Sequence, residues 1–325
     1  MRRRDFIGVL GGAAAWPLAA RAQQGQPGKH LAILIDAGAG EASGRLAAIR
    51  QELEQAGWLE GRNLRSTVRL GEGQAERVRA YAADLVKMNP DVILVGGGTG
   101  LTAVVAATRS IPIVYVWGGD PIATGLAASM AHPGGNVTGF TDYEVGIGTK
   151  WVQLLKELAP DIKRLLVLSP GNPTSDFVIP AIERAAGSFA IETTVATTTA
   201  PTEVVRAIEM AAGEPKAGLL VAAGSFMSVH RDLIVTLAAQ HRVPALYTDR
   251  SFVAAGGLVS FGVDRTDLYR QAGRYAGRIL AGEKPGNLPI QAPTKFESII
   301  NRKAASALGL TVPPTLLAIA AEVIE

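Results

Sequence analysis

Short apolar segments alternate with amphipathic helices along this chain of 325 residues, and the alternation starts twice. The first series begins with a strand-like run at 31–35 and the second with one at 165–168. The run at 92–95 is apolar throughout, which is typical of a parallel strand that helices cover on both faces. The pattern predicts an α/β protein of two doubly wound lobes, and the chain length agrees with two domains.

The segment 111–143 lies between the two series and carries the strongest turn signals. A strand-like run over 111–117 ends at Gly118-Gly119-Asp120-Pro121, and a helix-like apolar segment follows until His132-Pro133-Gly134-Gly135 interrupts it. Ligands of open α/β sheets bind beyond the carboxyl ends of the strands, so Asp120 lies where a site is expected. The break at 134–135 is where we expect the chain to pass between the lobes.

The first 22 residues predict a targeting segment instead of a part of the fold. Arg3-Arg4 precedes Asp5-Phe6-Ile7, an apolar stretch follows, and Ala20-Arg21-Ala22 fits a signal-cleavage site. The apolar stretch is shorter than the roughly 20 residues of a membrane-spanning helix. We therefore expect a twin-arginine-type signal peptide over 1–22, cleavage after Ala22, and a periplasmic protein without a lipid anchor.

Composition narrows the classes of partner. The predicted leader holds four of the 32 basic and one of the 29 acidic residues, so the charges of the remaining chain balance. Neither nucleic acid nor an anionic membrane surface is therefore indicated as a partner. The chain contains no Cys, which excludes disulfides, iron–sulfur clusters and thiolate zinc sites.

Signals for catalysis are weak. The four histidines are scattered, and no H-E-x-x-H pair, G-x-S-x-G elbow or P-loop lysine is present. The segment 98–103 does fit G-x-G-x-x-A after a strand, with Asp120 about 20 residues further on, which is the outline of a dinucleotide fingerprint. An exported NAD(P)-dependent oxidoreductase is thus the alternative to a non-catalytic binding protein without a cofactor or metal.

Residues at the predicted strand ends are the candidate ligand contacts. The N–H groups of Gly98, Thr99 and Gly100 can bind an anion at a helix start, or the glycines permit only a tight turn. Asp120 and Asp249 each follow a strand, where an acid either pairs with a ligand ammonium group or caps the next helix. The further candidates, which are also common turn formers, are Asp36, Asn172, Ser225 and Phe226.

Several long motifs in the same order resemble one family of ABC-transporter substrate-binding proteins, which includes tryptophan-binding members. The resemblance extends over essentially all of the chain after the leader. The motifs are Gly118-Gly119-Asp120-Pro121, Gly125-Leu126, His132-Pro133-Gly134-Gly135-Asn136-Val137-Thr138-Gly139, residues 252–262, Leu288-Pro289-Ile290-Gln291, Pro293-Thr294-Lys295-Phe296-Glu297, Ile300-Asn301, and Ala307-Leu308-Gly309-Leu310 with Pro313-Pro314.

The resemblance implies a type I periplasmic-binding fold, in which two lobes close over a ligand and three crossovers join them. We expect the crossovers near Thr141, Asp249 and Pro289. The expected lobes are 28–140 plus 250–286, and 141–249 plus 287–325.

The resemblance further implies a monomeric receptor that captures a small solute by hinge closure and delivers it to an ABC permease in the inner membrane. An amino acid or an aromatic carboxylate is the expected solute, with Thr99 in the role of carboxylate contact and Asp249 in that of amine contact. A sensory receptor that serves a signalling partner is a further alternative.

The first strand-end loop, 36–41, is small and acidic, and it offers little surface for stacking on a flat ring. Five aromatic residues can supply that surface if they face the cleft: Tyr115, Trp117, Phe140, Phe226 and Tyr247.

Overall fold

The strands form two separate sheets in the computed structural model, which describes residues 28–141, 144 and 146–325. The predicted signal peptide lies outside these residues. The first sheet has five strands in the order β2-β1-β3-β4-β5, all parallel. Its elements are β1 (Lys29–Ile35), α1 (Ala39–Gln55), β2 (Leu64–Leu70), α2 (Ala75–Lys87), β3 (Val92–Gly96), α3 (Gly98–Ala107), β4 (Ile113–Val116) and β5 (Val137–Phe140).

The second sheet has seven strands in the order β12-β11-β10-β9-β8-β6-β7, in which only the β10–β11 pair is antiparallel. Its elements are α4 (Ile147–Leu158), β6 (Arg164–Ser169), α5 (Pro173–Ser188), β7 (Glu192–Thr197), α6 (Pro201–Ala212), β8 (Ala217–Val221), α7 (Ser225–Val229), α8 (Arg231–Gln240), β9 (Ala245–Tyr247), α9 (Arg250–Ala254) and β10 (Val259–Val263). After the long helix α10 (Arg265–Leu280) and the 3-10 turn Pro285–Asn287 come β11 (Phe296–Asn301), α11 (Arg302–Ala307), α12 (Pro314–Ile319) and β12 (Glu322–Ile324).

Each sheet is covered by helices on both faces, as the apolar strands predict. In the first lobe, α1 and α10 bury residues such as Leu53 and Tyr269 against one face, and α2 and α3 bury Val78 and Leu101 against the other. In the second lobe, α4 and α5 cover one face while α6 and α8 cover the other. The predicted two-lobe α/β architecture is therefore confirmed.

The segment after β4 differs from its prediction. Residues 121–131 form turns instead of a helix, because Gly125 adopts a left-handed φ of 70° that an α-helix does not accommodate. The Asp120 carboxylate accepts hydrogen bonds from the N–H groups of Ile122 and Ala123 at 2.8 and 3.1 Å and thereby closes the first of these turns. Asp120 therefore closes a turn, and no helix follows for it to cap.

The division of the lobes near residue 250 also differs from the expectation. Residues 250–286 do not lie together in the first lobe, because β10 pairs with β9 and β11 in the seven-stranded sheet. Only α10 returns to the first lobe, where the guanidinium of Arg274 donates to the Glu52 carboxylate on α1 at 2.6 and 3.2 Å. The second crossover therefore lies at Asp264, after β10, and not at Asp249.

The three crossovers run side by side. In the first and third, the N–H of Thr141 donates to the Gln291 carbonyl at 3.0 Å, and the N–H of Gln291 donates to the Gly139 carbonyl at 3.0 Å. The second and third meet where the Asp264 N–H donates to the Lys295 carbonyl at 3.1 Å. Three adjacent chain segments that are hydrogen-bonded to one another have the arrangement of a hinge.

A buried ion pair links the lobes beside this hinge. Arg265, the first residue of α10, lies 2.8 Å from the Asp249 carboxylate at the end of β9, and the two side chains are 11% and 9% exposed. Burial pushes the pKa of Asp249 upward, but the Arg265 charge and hydrogen bonds from Ser251 outweigh burial and leave this pKa below its ordinary value. Asp249 also caps α9 through the Ser251 N–H at 2.8 Å.

No helix in the described part of the chain has the length and apolar character to cross a membrane.

We expect Asp249→Asn to lower the free energy of unfolding by about 3 kcal/mol, because it leaves the Arg265 charge buried without a partner. Urea unfolding at pH 7 measures this. The matched control is Lys295→Gln, which removes the exposed ion pair with Asp264 at the same crossover (2.7 Å, with Lys295 65% exposed). The control should cost less than about 1 kcal/mol; equal losses would contradict the prediction.

A second prediction concerns His30 on β1, which is 6% exposed. An Arg65 nitrogen lies 3.1 Å from Nδ1 and can only donate, so Nδ1 accepts and Nε2–H donates to the Thr67 hydroxyl at 2.9 Å. Burial, aided by the Arg65 charge, lowers the pKa of His30 against the opposing charges of Asp91 and Glu60.

Because the folded state resists protonation at His30 more than the unfolded chain does, stability should be fully present above about pH 6.5 and decline as the pH falls through the lowered pKa. Urea unfolding between pH 7.5 and 5 measures this decline. His30→Gln should flatten it, whereas His241→Gln, at an exposed position, should not. An identical pH dependence in all three proteins would contradict the assignment.

Candidate functional site

A cleft of about 700 Å³ lies between the lobes, at the carboxyl ends of the parallel strands of both sheets. Loops after β1, β2, β3 and β4 form its first-lobe wall, and loops after β6, β7 and β8 form the opposite wall. Its position is the one that open α/β sheets use for ligands.

Six of the nine predicted site residues line this cleft: Asp36, Gly98, Thr99, Asn172, Ser225 and Phe226. The other three do not. Gly100 is buried in the first turn of α3, where an added Cβ would lie 2.8 Å from Val95 Cγ2. Asp120 caps a turn, and Asp249 is engaged by Arg265 and by its cap.

Asp36 is the acid of the cleft. Its carboxylate accepts the Gly73 N–H at 2.9 Å and a hydrogen bond from Ser225 of the other lobe. Burial raises the pKa of Asp36, although these hydrogen bonds and the nearby Arg45 oppose the rise. Within the described residues, no Lys or Arg nitrogen forms an ion pair with Asp36. The cleft therefore holds a partly desolvated carboxylate that feels the Arg45 charge but forms no ion pair with a described residue.

The start of α3 lies beside this carboxylate. A Cβ placed on Gly97 would be 3.2 Å from Asp36 Cβ, and no side chain caps the helix. The first N–H groups of a helix have no partner within it, and they attract anions. Thr102 donates its hydroxyl to the Gly98 carbonyl at 3.0 Å, so it serves its own helix. A carboxylate and the uncapped start of a helix thus lie side by side.

Asn172 has a structural role at the opposite wall. It caps α5 by accepting the Ser175 N–H at 2.8 Å, and its amide donates to the Ala223 carbonyl at 3.3 Å. The turn-forming interpretation of Asn172 therefore holds for its side chain. By these two bonds it fixes the loops after β6 and β8 to each other.

Two of the five aromatic candidates border the cleft, Trp117 and Phe226. Phe226 packs edge-on against His230, which also lines the cleft, with ring centroids 4.5 Å apart. Tyr115, Phe140 and Tyr247 are instead fully buried in the lobe cores. The cleft thus offers aromatic surface on each wall.

The lobes also touch beside the cleft. Glu41 on α1 is held by Arg45 of its own helix at 3.0 Å and by Arg231 on α8 of the second lobe at 3.4 Å. A Cβ on Gly73 would lie 3.3 Å from Phe226 Cα. These contacts define a closed arrangement.

Sequence reasoning missed Gly73, Glu41 and Arg231. Gly73 lies in the loop after β2 and carries the same strand-end signal as the other candidates, so it could have been found. Glu41 belonged to the predicted strand-end loop 36–41 but lies on α1 in the structure, and Arg231 had no such signal. Their pairing arises only when the lobes meet. Within the described residues, no cluster of three or more acidic or histidine side chains is arranged to hold a metal ion.

Comparisons with known proteins agree with this architecture. A tyrosine-binding protein of Clostridioides difficile is 26% identical over 259 residues, which is 79% of this chain and 74% of that protein. The crystal structure of an ABC domain in complex with L-Trp from Streptococcus pneumonia has a TM-score of 0.84 at 22% identity, covering 91% of this chain and 100% of the other. The ligand-free, open structure of a substrate binding protein with adhesive properties from Clostridium difficile has a TM-score of 0.66 at 22% identity, covering 91% and 99%.

The two structural likenesses show the fold, which is the type I periplasmic-binding fold implied by the sequence motifs. The model of the family described as ABC transporter substrate binding protein matches residues 43–324, nearly the whole of the described chain. This protein belongs to the ABC transporter substrate binding protein family and is a solute-binding protein.

Proposed function

We propose that this protein is the receptor of an ABC importer and that its solute is an amino acid. The ammonium group of the solute pairs with Asp36, and its carboxylate lies at the N–H groups of Gly98 and Thr99. Thr99 keeps the carboxylate role expected from the sequence, whereas Asp36 takes the amine role that was expected of Asp249.

One observation carries this proposal: the Asp36 carboxylate forms no ion pair with a described residue and lies next to the uncapped start of α3. A solute that brings both an ammonium and a carboxylate group neutralises the first and satisfies the second. A partly desolvated carboxylate is otherwise unfavourable, which is why such groups are paired in folded proteins.

The relatives support an aromatic amino acid in particular. One is a tyrosine-binding protein, and a protein of the same fold was crystallised with L-Trp. Trp117 on the first-lobe wall and Phe226 on the second offer aromatic surface for such a side chain.

We further propose that the protein acts in the periplasm after cleavage of residues 1–22, as a monomer that does no catalysis and binds no nucleic acid. Lobe closure over the solute presents a form that the membrane permease recognises. The N-terminal sequence motif supports export, and the family supports the permease as partner.

A thermal-shift screen tests the proposal, because a ligand that binds only the folded state raises the Tm. The panel holds L-tyrosine, L-tryptophan, the other amino acids, aromatic carboxylates, NAD and NADP. Stabilisation by amino acids alone supports the proposal. Stabilisation by NAD or NADP alone would overturn it in favour of a dinucleotide site at 98–103.

Asp36→Asn should weaken binding of the stabilising amino acid about 100-fold, since a charge-assisted contact is lost. The free protein should be equally or more stable, because the raised pKa of Asp36 means that folding disfavours its charged form near neutral pH. Calorimetric titration and urea unfolding measure the two effects. Asp120→Asn is the matched control and should leave the Kd unchanged. Unchanged affinity in Asp36→Asn would remove Asp36 from the site.

Arg231→Gln should raise the Kd about fivefold, because it removes the interlobe contact with Glu41 and favours the open form. Solution scattering should show that the amino acid compacts the wild-type protein and that the free variant is no more compact than the free wild type. Arg302→Gln removes an exposed pair with Glu325 away from the cleft and serves as control. An identical radius of gyration with and without solute would contradict hinge closure.

A further inference from the structure

One side of the short helix α7 forms part of the second-lobe wall of the cleft. Ser225, Phe226, Val229 and His230 border the cleft, whereas the residues between them, 227 and 228, are buried. Residues three and four positions apart share a helix face, which brings Val229 and His230 beside Phe226. The spacing of this segment thus presents an aromatic ring and an imidazole together to the first lobe.

The rings of Phe226 and His230 are in contact. Their centroids lie 4.5 Å apart and their planes are inclined by 61°, which is an edge-to-face arrangement. Aromatic pairs favour this geometry at centroid distances of about 4.5–7 Å. Both residues are partly exposed, so the pair is held in a defined arrangement while part of its surface stays open to the cleft.

The hydrogen-bonding capacity of His230 is not used within the described protein. Neither ring nitrogen bonds another described residue, and neither is among the buried unpaired polar atoms, so both are accessible. The cavity that this imidazole borders is the cleft, since the neighbouring cavity beside Glu41 and Arg231 does not include it. Two other polar side chains of the cleft, Gln74 and Thr99, also lack a described partner, but they do not contact an aromatic ring of the cleft.

The distance from the proposed ammonium contact suits an aromatic amino acid. Ser225, at the start of α7, hydrogen-bonds the Asp36 carboxylate, and Gly73, whose N–H bonds the same carboxylate, lies against Phe226. His230 follows Ser225 by five residues, which is about 7 Å along a helix that rises 1.5 Å per residue. This is of the order of the length of a tyrosine side chain. A solute whose ammonium group is at Asp36 can therefore extend its ring along α7.

We propose that His230 is a specificity-determining residue of the cleft. Its imidazole hydrogen-bonds the polar ring atom of an aromatic amino acid, either the phenol hydroxyl of tyrosine or the indole N–H of tryptophan, while the ring of the solute packs against Phe226. A neutral imidazole has one accepting nitrogen, which serves either donor.

Phenylalanine has no such donor, so when it binds it displaces water from His230 without replacing the hydrogen bond, and it is therefore bound less tightly. The inference rests on the proposed function, because it gives the side chain of the proposed solute a place in the same cleft.

The test is a calorimetric titration of L-tyrosine, L-tryptophan and L-phenylalanine into the wild type and four variants. His230→Phe keeps a ring beside Phe226 but removes both nitrogens, and His230→Gln keeps a hydrogen-bonding side chain. His241→Phe makes the same exchange at an exposed position. Asp36→Asn removes the proposed ammonium contact and leaves His230 in place. The imidazole ¹⁵N resonances of His230, identified by their absence in His230→Phe, are followed as each amino acid is added to the wild type.

We expect the wild type to bind tyrosine and tryptophan about tenfold more tightly than phenylalanine, which corresponds to about one hydrogen bond. His230→Phe should lose this preference, His230→Gln should keep part of it, and His241→Phe should keep all of it. Asp36→Asn should weaken the binding of all three amino acids and preserve their order. The His230 resonances should shift with tyrosine and tryptophan more than with phenylalanine.

A wild type that binds phenylalanine as tightly as tyrosine and tryptophan would overturn the inference and leave the proposed function standing. So would an undiminished preference in His230→Phe, or His230 resonances that respond equally to the three amino acids. If the wild type binds none of the three, the proposed aromatic solute is wrong and the inference fails with it.

Discussion

The buried ion pair of Asp249 and Arg265 is the interaction on which the relation of the two lobes depends. It joins the end of β9 in one lobe to the first turn of α10, which packs on the other. Two charges so far from water are tolerable only as a pair. The same guanidinium lies over Trp117, so the charge that links the lobes also positions one wall of the cleft.

Two other acids near the cleft are also paired with arginines, whereas Asp36 is not. Glu41 is shared between Arg45 and Arg231, and Asp249 is taken by Arg265. Asp36 has hydrogen bonds but no ion pair among the described residues. The proposed ammonium contact therefore falls on the acid of the cleft that forms no such pair.

Much of the fold was accessible from sequence, because hydrophobic periodicity and strand-end glycines are local signals. The strand-like runs predicted at 31–35, 92–95 and 165–168 agree with β1, β3 and β6 to within two residues at each end, and the strand-end rule brought six site candidates into one cleft. The errors have physical causes. Asp249 has the position of a ligand contact, but an arginine sixteen positions further on, in another lobe, neutralises it. The assignment of β10 to the second lobe depends on its pairing with β11, which is a non-local contact that no short stretch of sequence reveals.

The return of α10 to the first lobe has a consequence for how the chain must be made. One face of the five-stranded sheet is covered by α10, which follows β6 to β10 in the chain, so the core of the first lobe stays incomplete until those strands of the second lobe have been synthesised. The first lobe is therefore not completed before the second lobe has begun to be synthesised. Cutting the chain after the first crossover would leave the first sheet with a bare apolar face, so we do not expect the first half to fold on its own.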